Sequence, residues 1–194
     1  MLTQITKKHL KRSLQKSKIM EESQAEFSYE LKVPEERVAV LIGTDGTTKK
    51  QIEEQTGCSL DISKEGDVTI MGEDGMQLYT TKDIVKAIGR GFNPRIALLL
   101  LKPDYAFELI DMTDITGKSK NDLLRVKGRV IGKGGKSREE IERLTDTNIT
   151  VYGKTVGMIG EVAQVTVARQ AIAMLLKGSM HKTVYHFLER KQKE

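Results

Sequence analysis

A stretch of sequence that returns after a set interval restricts a chain to folds it can build twice, and here the interval is 89 residues. Ile42-Gly43-Thr44-Asp45-Gly46 returns as Ile131-Gly132-Lys133-Gly134-Gly135, and each copy is followed by a helix-period segment and then a strand-like one. The same offset pairs Lys49 with Arg138, Ile52 with Ile141, Glu53 with Glu142 and Thr56 with Thr145. The glycine spacing alone is weak, because 17 glycines among 194 residues produce about one or two Gly-x-x-Gly pairs by chance. Gly72-Glu73-Asp74-Gly75 and Gly157-Met158-Ile159-Gly160 also fit it. No amphipathic helix leads into either, so both read as turns at strand ends.

The repeat divides the chain into a basic arm (1–27), a first domain (28–102) and a second domain (103–194). In the first, Phe27 to Val33 alternates as a strand, and Pro34-Glu35-Glu36 opens a helix over 35–42 that runs into the glycine turn. Thr47 to Gln55 is helical by period, Gly57 ends it, Ser59 to Ser63 and Val68 to Met71 form an antiparallel pair, and a helix covers 80–90. A short helix, Pro94 to Leu101, fills the seam between domains. The second domain repeats the order with strand Tyr105 to Met112, helix Asn121 to Ile131 behind a Ser119/Asp122 capping box, and helix 136–145. Strands Asn148 to Tyr152 and Thr155 to Ile159, helix Val162 to Lys177 and a polar helix Thr183 to Gln192 complete it. The class is α+β.

The longest apolar run, Ile96 to Leu101, is too short to span a bilayer, and the first twenty residues lack the apolar core of a secretory signal, so a cytoplasmic location is expected. A lone Cys58 excludes an internal disulfide, and His9, His181 and His186 lack zinc spacing with it, so neither metal nor cofactor is expected.

The net charge of +5 is uneven: residues 1–20 hold six basic side chains and no acid, and the rest is close to neutral. Residues 118–143 hold nine basic and four acidic side chains, against three and five in the matching region 35–54. The second copy therefore favours a polyanion and the first repels one.

A glycine turn leading into a helix presents unpaired backbone N–H groups at the positive end of the helix dipole, and the missing Cβ lets a sugar-phosphate backbone approach. Gly132, Lys133, Gly134 and Gly135 form such a cradle for single-stranded RNA, with Lys136 and Arg138 adding charge. These contacts give affinity without base identity. A groove beside them would have an aliphatic floor drawn from Val130, Ile131, Ile149 and Val151, with Val151 read as core and Ile131 and Ile149 open between core and groove. Thr150 lies on the opposite strand face from Ile149. In the first copy Gly43, Thr44, Asp45 and Gly46 place a carboxylate where phosphate would sit, so that loop is expected to bind weakly at best.

Enzyme readings fail on spacing. Gly134-Gly135-Lys136-Ser137 resembles the end of a P-loop, but Val130 stands where the motif needs its first glycine. Gly132-x-Gly134 has Ser137 in place of the third glycine of a dinucleotide site. Glu108 and Asp111 point to opposite faces of a strand and cannot form an acid/base pair.

Both copies resemble type I K-homology (KH) domains, with Ile42 to Gly46 and Ile131 to Gly135 as the signature loops. Ala87 to Phe92, Leu109 to Asp111, Leu124 to Gly135, Tyr152 to Val156 and Thr183 to Arg190 further resemble the archaeal Partner-of-Nob (Pno/Dim) proteins, which assist small ribosomal subunit assembly. The resemblance implies two βααββα units, each a three-stranded antiparallel sheet with helices on one face. It also implies binding of small-subunit rRNA near its 3′ end, partnership with ribosome-assembly proteins including the endonuclease that matures that end, and no catalysis. By position, Gly132 to Gly135 become the RNA clamp, flanked by Arg129, Lys136, Ser137 and Arg138. Two alternatives are a KH adaptor of an RNA-degradation or transcription complex, for which no added β-barrel domain is visible, and a protein-interaction adaptor with weak RNA binding.

Overall fold

The computed structural model describes residues 27–117 and 119–193. The basic arm, apart from Phe27, lies outside the described residues. The first copy runs β1 (Phe27–Lys32), α1 (Glu35–Ile42), α2 (Thr47–Thr56), β2 (Ser59–Ile62), β3 (Asp67–Gly72) and α3 (Gly75–Gly89). A short α4 (Pro94–Ala97) and a 3-10 turn, Leu98–Leu101, lead to β4 (Tyr105–Asp111) and a single helical turn, α5 (Thr113–Thr116). The second copy continues as α6 (Lys120–Ile131), α7 (Lys136–Thr145), β5 (Asn148–Tyr152), β6 (Thr155–Glu161) and α8 (Val162–Leu176), followed by α9 (His181–Lys191).

Each copy forms a three-stranded antiparallel sheet with its last strand in the middle, in the orders β1-β3-β2 and β4-β6-β5. In β3 the alternation of the sequence is legible: Val68 and Ile70 are buried and Asp67 is exposed. In β6 alternation fails, since Thr155 through Gly160 are all buried. The helices α6 to α8 cover one face of that sheet. The other face receives the segment that follows α3, with Phe92 edge-on to Phe107 at 6.0 Å between ring centres. Ile159 of β6 belongs to the first copy's core, with Ala97 and Leu100 from the connecting segment.

Close packing on β6, by the first copy and by its own copy, explains a glycine pair which reads as a turn in the sequence. Gly157 and Gly160 lie inside β6, and a Cβ on Gly157 would sit 2.8 Å from the Phe92 ring, while one on Gly160 would sit 2.9 Å from Thr147. Gly75, also expected in a turn, is instead the first residue of α3, because the Asp74 side chain accepts from the Met76 N–H at 2.8 Å and opens the helix five residues before position 80. Ser119 caps α6 as expected, its hydroxyl accepting from the Asp122 N–H at 3.2 Å.

The same two locks recur in both copies. An arginine on the first helix satisfies the C-terminal carbonyls of the last one: Arg37 donates to the Ile88 carbonyl at 2.8 Å and the Phe92 carbonyl at 2.7 Å. Arg129 likewise donates to Leu175, at 3.0 Å, and to Ser179. A cation there also complements the negative end of the helix dipole. The second lock is a glutamate on the helix after the glycine turn, which accepts from the edge strand: Glu53 from the Leu60 N–H at 2.8 Å and Glu142 from the Ile149 N–H at 2.6 Å.

Candidate nucleic-acid interface

The two glycine loops have one shape. Gly43 and Gly132 lie at φ 75°, ψ 171° and φ 74°, ψ 175°, a region open to glycine, and a Cβ on either would collide with the helix that follows: 2.7 Å from the Thr48 nitrogen in one copy, 2.7 Å from the Ser137 nitrogen in the other. At the third position Asp45 adopts φ 52°, ψ 27° and Gly134 φ 63°, ψ 25°. The loops therefore differ in charge and not in backbone course. Space around Gly134 is open, with nothing within 4 Å of where a Cβ would stand.

Of the four amides between 132 and 135, two are engaged internally: Gly132 donates to the Gly128 carbonyl at 2.8 Å and Gly135 to the Gly132 carbonyl at 3.3 Å. Among the described residues no turn or cap bond engages the amides of Lys133 and Gly134. Gly135, the N-cap of α7, has no side chain to cap the helix, and the acid in the first turn, Glu139, pairs with Arg138 at 3.6 Å. The cradle is thus narrower than the sequence suggested, centred on the two middle residues of the turn and the start of α7.

Charge around it sorts by residue type. Every arginine in 118–143 is held by its own protein: Arg125 by Asp122 at 3.1 Å, Arg143 by Glu140 at 2.7 Å, Arg138 by Glu142 at 3.5 Å and Glu139 at 3.6 Å, and Arg129 by the carbonyls ending α8. The Arg138 Nε is buried, and its approach to Glu142 is an ion-pair distance without hydrogen-bond geometry. Lys120, Lys127, Lys133 and Lys136 form no ion pair among the described residues, and Lys133 and Lys136 are exposed. Unpaired cationic charge at the loop is therefore lysine charge, suited to phosphate as a point contact.

Five expected site residues have structural partners or places of their own. Arg129 belongs to the lock on α8, reinforced by His181, whose Nε2 lies 2.8 Å from the Arg129 carbonyl and ties α9 to α6. Arg138 bridges to Glu142, as Lys49 does to Glu53 at 3.9 Å in the first copy, so this pair is part of the duplicated framework. Ile149 is 4% exposed and belongs to the core of the second copy. Thr150 points to the other side of the sheet, where its hydroxyl would lie 3.1 Å from a Cβ on Gly91 of the first copy. Ser137 is buried under Gly132, with its Cβ 2.6 Å from where a Gly132 Cβ would be, and its hydroxyl has no partner among the described residues. What stays at the loop is Ile131, half-buried at the end of α6, while Val151, half-buried on the edge strand β5, packs against the second copy's core as expected.

Burial pushes the Glu142 carboxyl up from its ordinary value, against the opposing pull of the Ile149 N–H and Arg138. At the seam the Tyr152 hydroxyl donates to Glu36, and that bond, with burial, pushes the phenol up.

Comparison with known proteins gives the same architecture. Residues 106–193 match the family model for the eukaryotic-type KH domain (type I) found second in PNO1, and residues 28–87 match the general KH domain. A KH domain-containing protein of Methanocaldococcus jannaschii is 49% identical over 168 residues, covering 84% of this chain and 74% of that one. The RNA-binding protein PNO1 of Oryzias latipes is 34% identical over 114 residues, 58% of this chain, and the chain matches 47% of its length, about half. The crystal structure of Dim2p from Pyrococcus horikoshii OT3 is 42% identical and aligns with a TM-score of 0.79 over 84% of this chain and 99% of that one. A complex of a/eIF2alpha, aDim2p and rRNA from the same organism aligns with a TM-score of 0.82 at 42% identity, covering 89% of this chain and 97% of the chain matched.

Proposed function

The chain belongs to the PNO1/Dim2 family of tandem KH-domain proteins, and on that premise we propose that it binds single-stranded RNA of the small ribosomal subunit. In this reading it acts in the cytoplasm as an assembly and pre-rRNA-processing factor, near the 3′ end of that RNA. One observation carries the reading. The turn Gly132 to Gly135 forms an open cradle at the N-terminus of α7, with Lys133 and Lys136 unpaired beside it. Phosphates sit against the Lys133 and Gly134 amides, the lysines add charge, and Ile131 offers the apolar surface on which a base can rest. The first loop keeps the shape and carries Asp45, so its grip is the weaker one.

Relatives support the biological setting: one is a pre-rRNA-processing protein PNO1 of Candida albicans, and an aDim2p is seen bound to rRNA. On this reading the protein is a chaperone or positioning factor with no catalysis of its own. It hands a correctly held 3′ end to ribosome-assembly proteins, among them the endonuclease that cuts there. No described helix is long and apolar enough to cross a membrane.

The test is ultraviolet crosslinking of the full chain to total cellular RNA with mapping of the attached nucleotides. Crosslinks clustered near the 3′ end of small-subunit rRNA, lost when Lys133 and Gly134 are both changed to Asp, are the expected result. Crosslinks scattered over unrelated RNAs, or unaffected by those changes, would refute it.

A further inference from the structure

A second concentration of positive charge lies on the first copy, remote in sequence from either glycine loop. Lys82 and Lys86 on α3 and Arg90 just beyond it are spaced four residues apart, which aligns them along one side of the helix. With Lys32 at the end of β1 they line a cavity of about 130 Å³, completed by Tyr29, Leu31, Val33, Pro34 and Gly89. Its wall holds four cations and no carboxylate. Lys32 is paired with Asp67 at 3.2 Å and Lys82 with Asp83 at 3.4 Å, whereas Lys86 and Arg90 form no ion pair among the described residues.

Aromatic rings stand beside this charge. The Lys82 ammonium lies 3.6 Å from the centre of the Tyr79 ring and 5.6 Å from that of Tyr29, and the two tyrosines are 61% and 45% exposed. Tyrosines that exposed, one on β1 and one on α3, contribute little to the core, and both stand beside the cations. Flat π-faces next to a positively charged channel are the combination by which proteins hold single strands without regard to sequence. An acidic peptide would be drawn to the same cations, and its capture is one outcome of the test below.

We propose that the face formed by β1 and α3 is a second RNA contact, in which Lys86 and Arg90 neutralise phosphates and Tyr29 and Tyr79 stack bases. It rests on the RNA-binding reading above and extends it to a surface outside both glycine loops. A strand long enough to reach both places is held more tightly than one that fills the second loop alone.

The experiment compares two RNAs by fluorescence anisotropy on the full chain: one of about four nucleotides, the length a KH groove clamps, and one of about twenty. In the double variant K86Q/R90Q, affinity for the short strand is expected to stay unchanged. Affinity for the long strand falls about tenfold, and the slope of log affinity against log salt drops by roughly 1.4, about 0.7 per phosphate lost. Y79A, at an exposed position, should weaken the long strand selectively by about tenfold through the lost stacking, and an unchanged thermal midpoint in either variant excludes misfolding. Long-strand affinity and salt slope equal to the parent in both variants overturn the inference. That holds also where the patch variants lose capture of an acidic protein partner. Loss of the short strand in the Lys133/Gly134 variant, with the patch variants unaffected, leaves the loop reading standing and removes this one.

Discussion

Replacing Gly134 by Asp isolates the charge of the second loop from its shape. Gly134 lies at φ 63°, ψ 25°, and the first copy already holds an aspartate at φ 52°, ψ 27° in the corresponding place. A Cβ at Gly134 meets nothing within 4 Å. The left-handed conformation costs a non-glycine residue roughly 1–2 kcal/mol, less for Asp and Asn, so the variant should fold. Asn serves as the control, since it has the same shape and no charge. A carboxylate about 4 Å from a bound phosphate is repelled by about 1 kcal/mol in water and about 4 kcal/mol at an effective dielectric of 20. That corresponds to an affinity loss between about fivefold and about a thousandfold. Titration of a short single-stranded RNA against parent, G134D and G134N, with urea unfolding run in parallel, should give a large loss in G134D and a small one in G134N at closely similar stabilities. Equal losses in the two variants would show that the side chain obstructs rather than repels. Unchanged binding in both would remove the second loop from the site.

Changing Asp45 to Gly gives the first loop the backbone freedom of the second without its lysines; RNA affinity should rise by no more than a few-fold, and a fall would show that Asp45 takes part in binding. Gly157→Ala forces a Cβ to within 2.8 Å of Phe92 and should cost about 1–3 kcal/mol of stability as overpacking, read from the urea midpoint; an unchanged midpoint would mean the seam yields freely. Glu142→Gln keeps an acceptor for the Ile149 N–H and removes the titration. Because the folded-state value of Glu142 is raised, its protonated form is the one folding favours, so its contribution is full below the ordinary 4.5 and is lost as pH rises through the raised value. The thermal midpoint of the parent relative to E142Q should therefore decline from acid to neutral pH, and a difference that grows with pH would contradict the burial argument.

The duplicated framework was legible from residues because it is written in periodic apolar positions and in two glycines whose backbone angles admit little else. Element boundaries followed wherever a local signal existed, as with Ser119 before α6. They failed where the deciding contact lay far along the chain: Gly157 reads as a turn until Phe92, 65 positions earlier, is seen against it. Charge was misjudged for a similar reason. Arg129 and Arg138 count as positive in any tally of a segment, yet one is held by carbonyls 46 and 50 residues away and the other by a glutamate one turn on. The pairing of Glu53 with Glu142 across the repeat was visible, and could have pointed to a shared structural duty for the basic residue four positions before each. The basic side of α3 escaped notice because acidic neighbours in sequence cancel it in a segment count, whereas folding aligns its cations.

The seam between the copies has a consequence for how an RNA would be measured. Phe92 occupies the hollow at Gly157, Ile159 lies in the first copy's core, and Tyr152 reaches across to Glu36, so the two glycine loops sit on a single block like the jaws of a caliper set to one opening. Any strand that engages both must bridge that opening with a particular number of nucleotides. The second jaw closes at an effective concentration rather than from free solution. Spacing along the RNA would then be selected together with the identity of its bases.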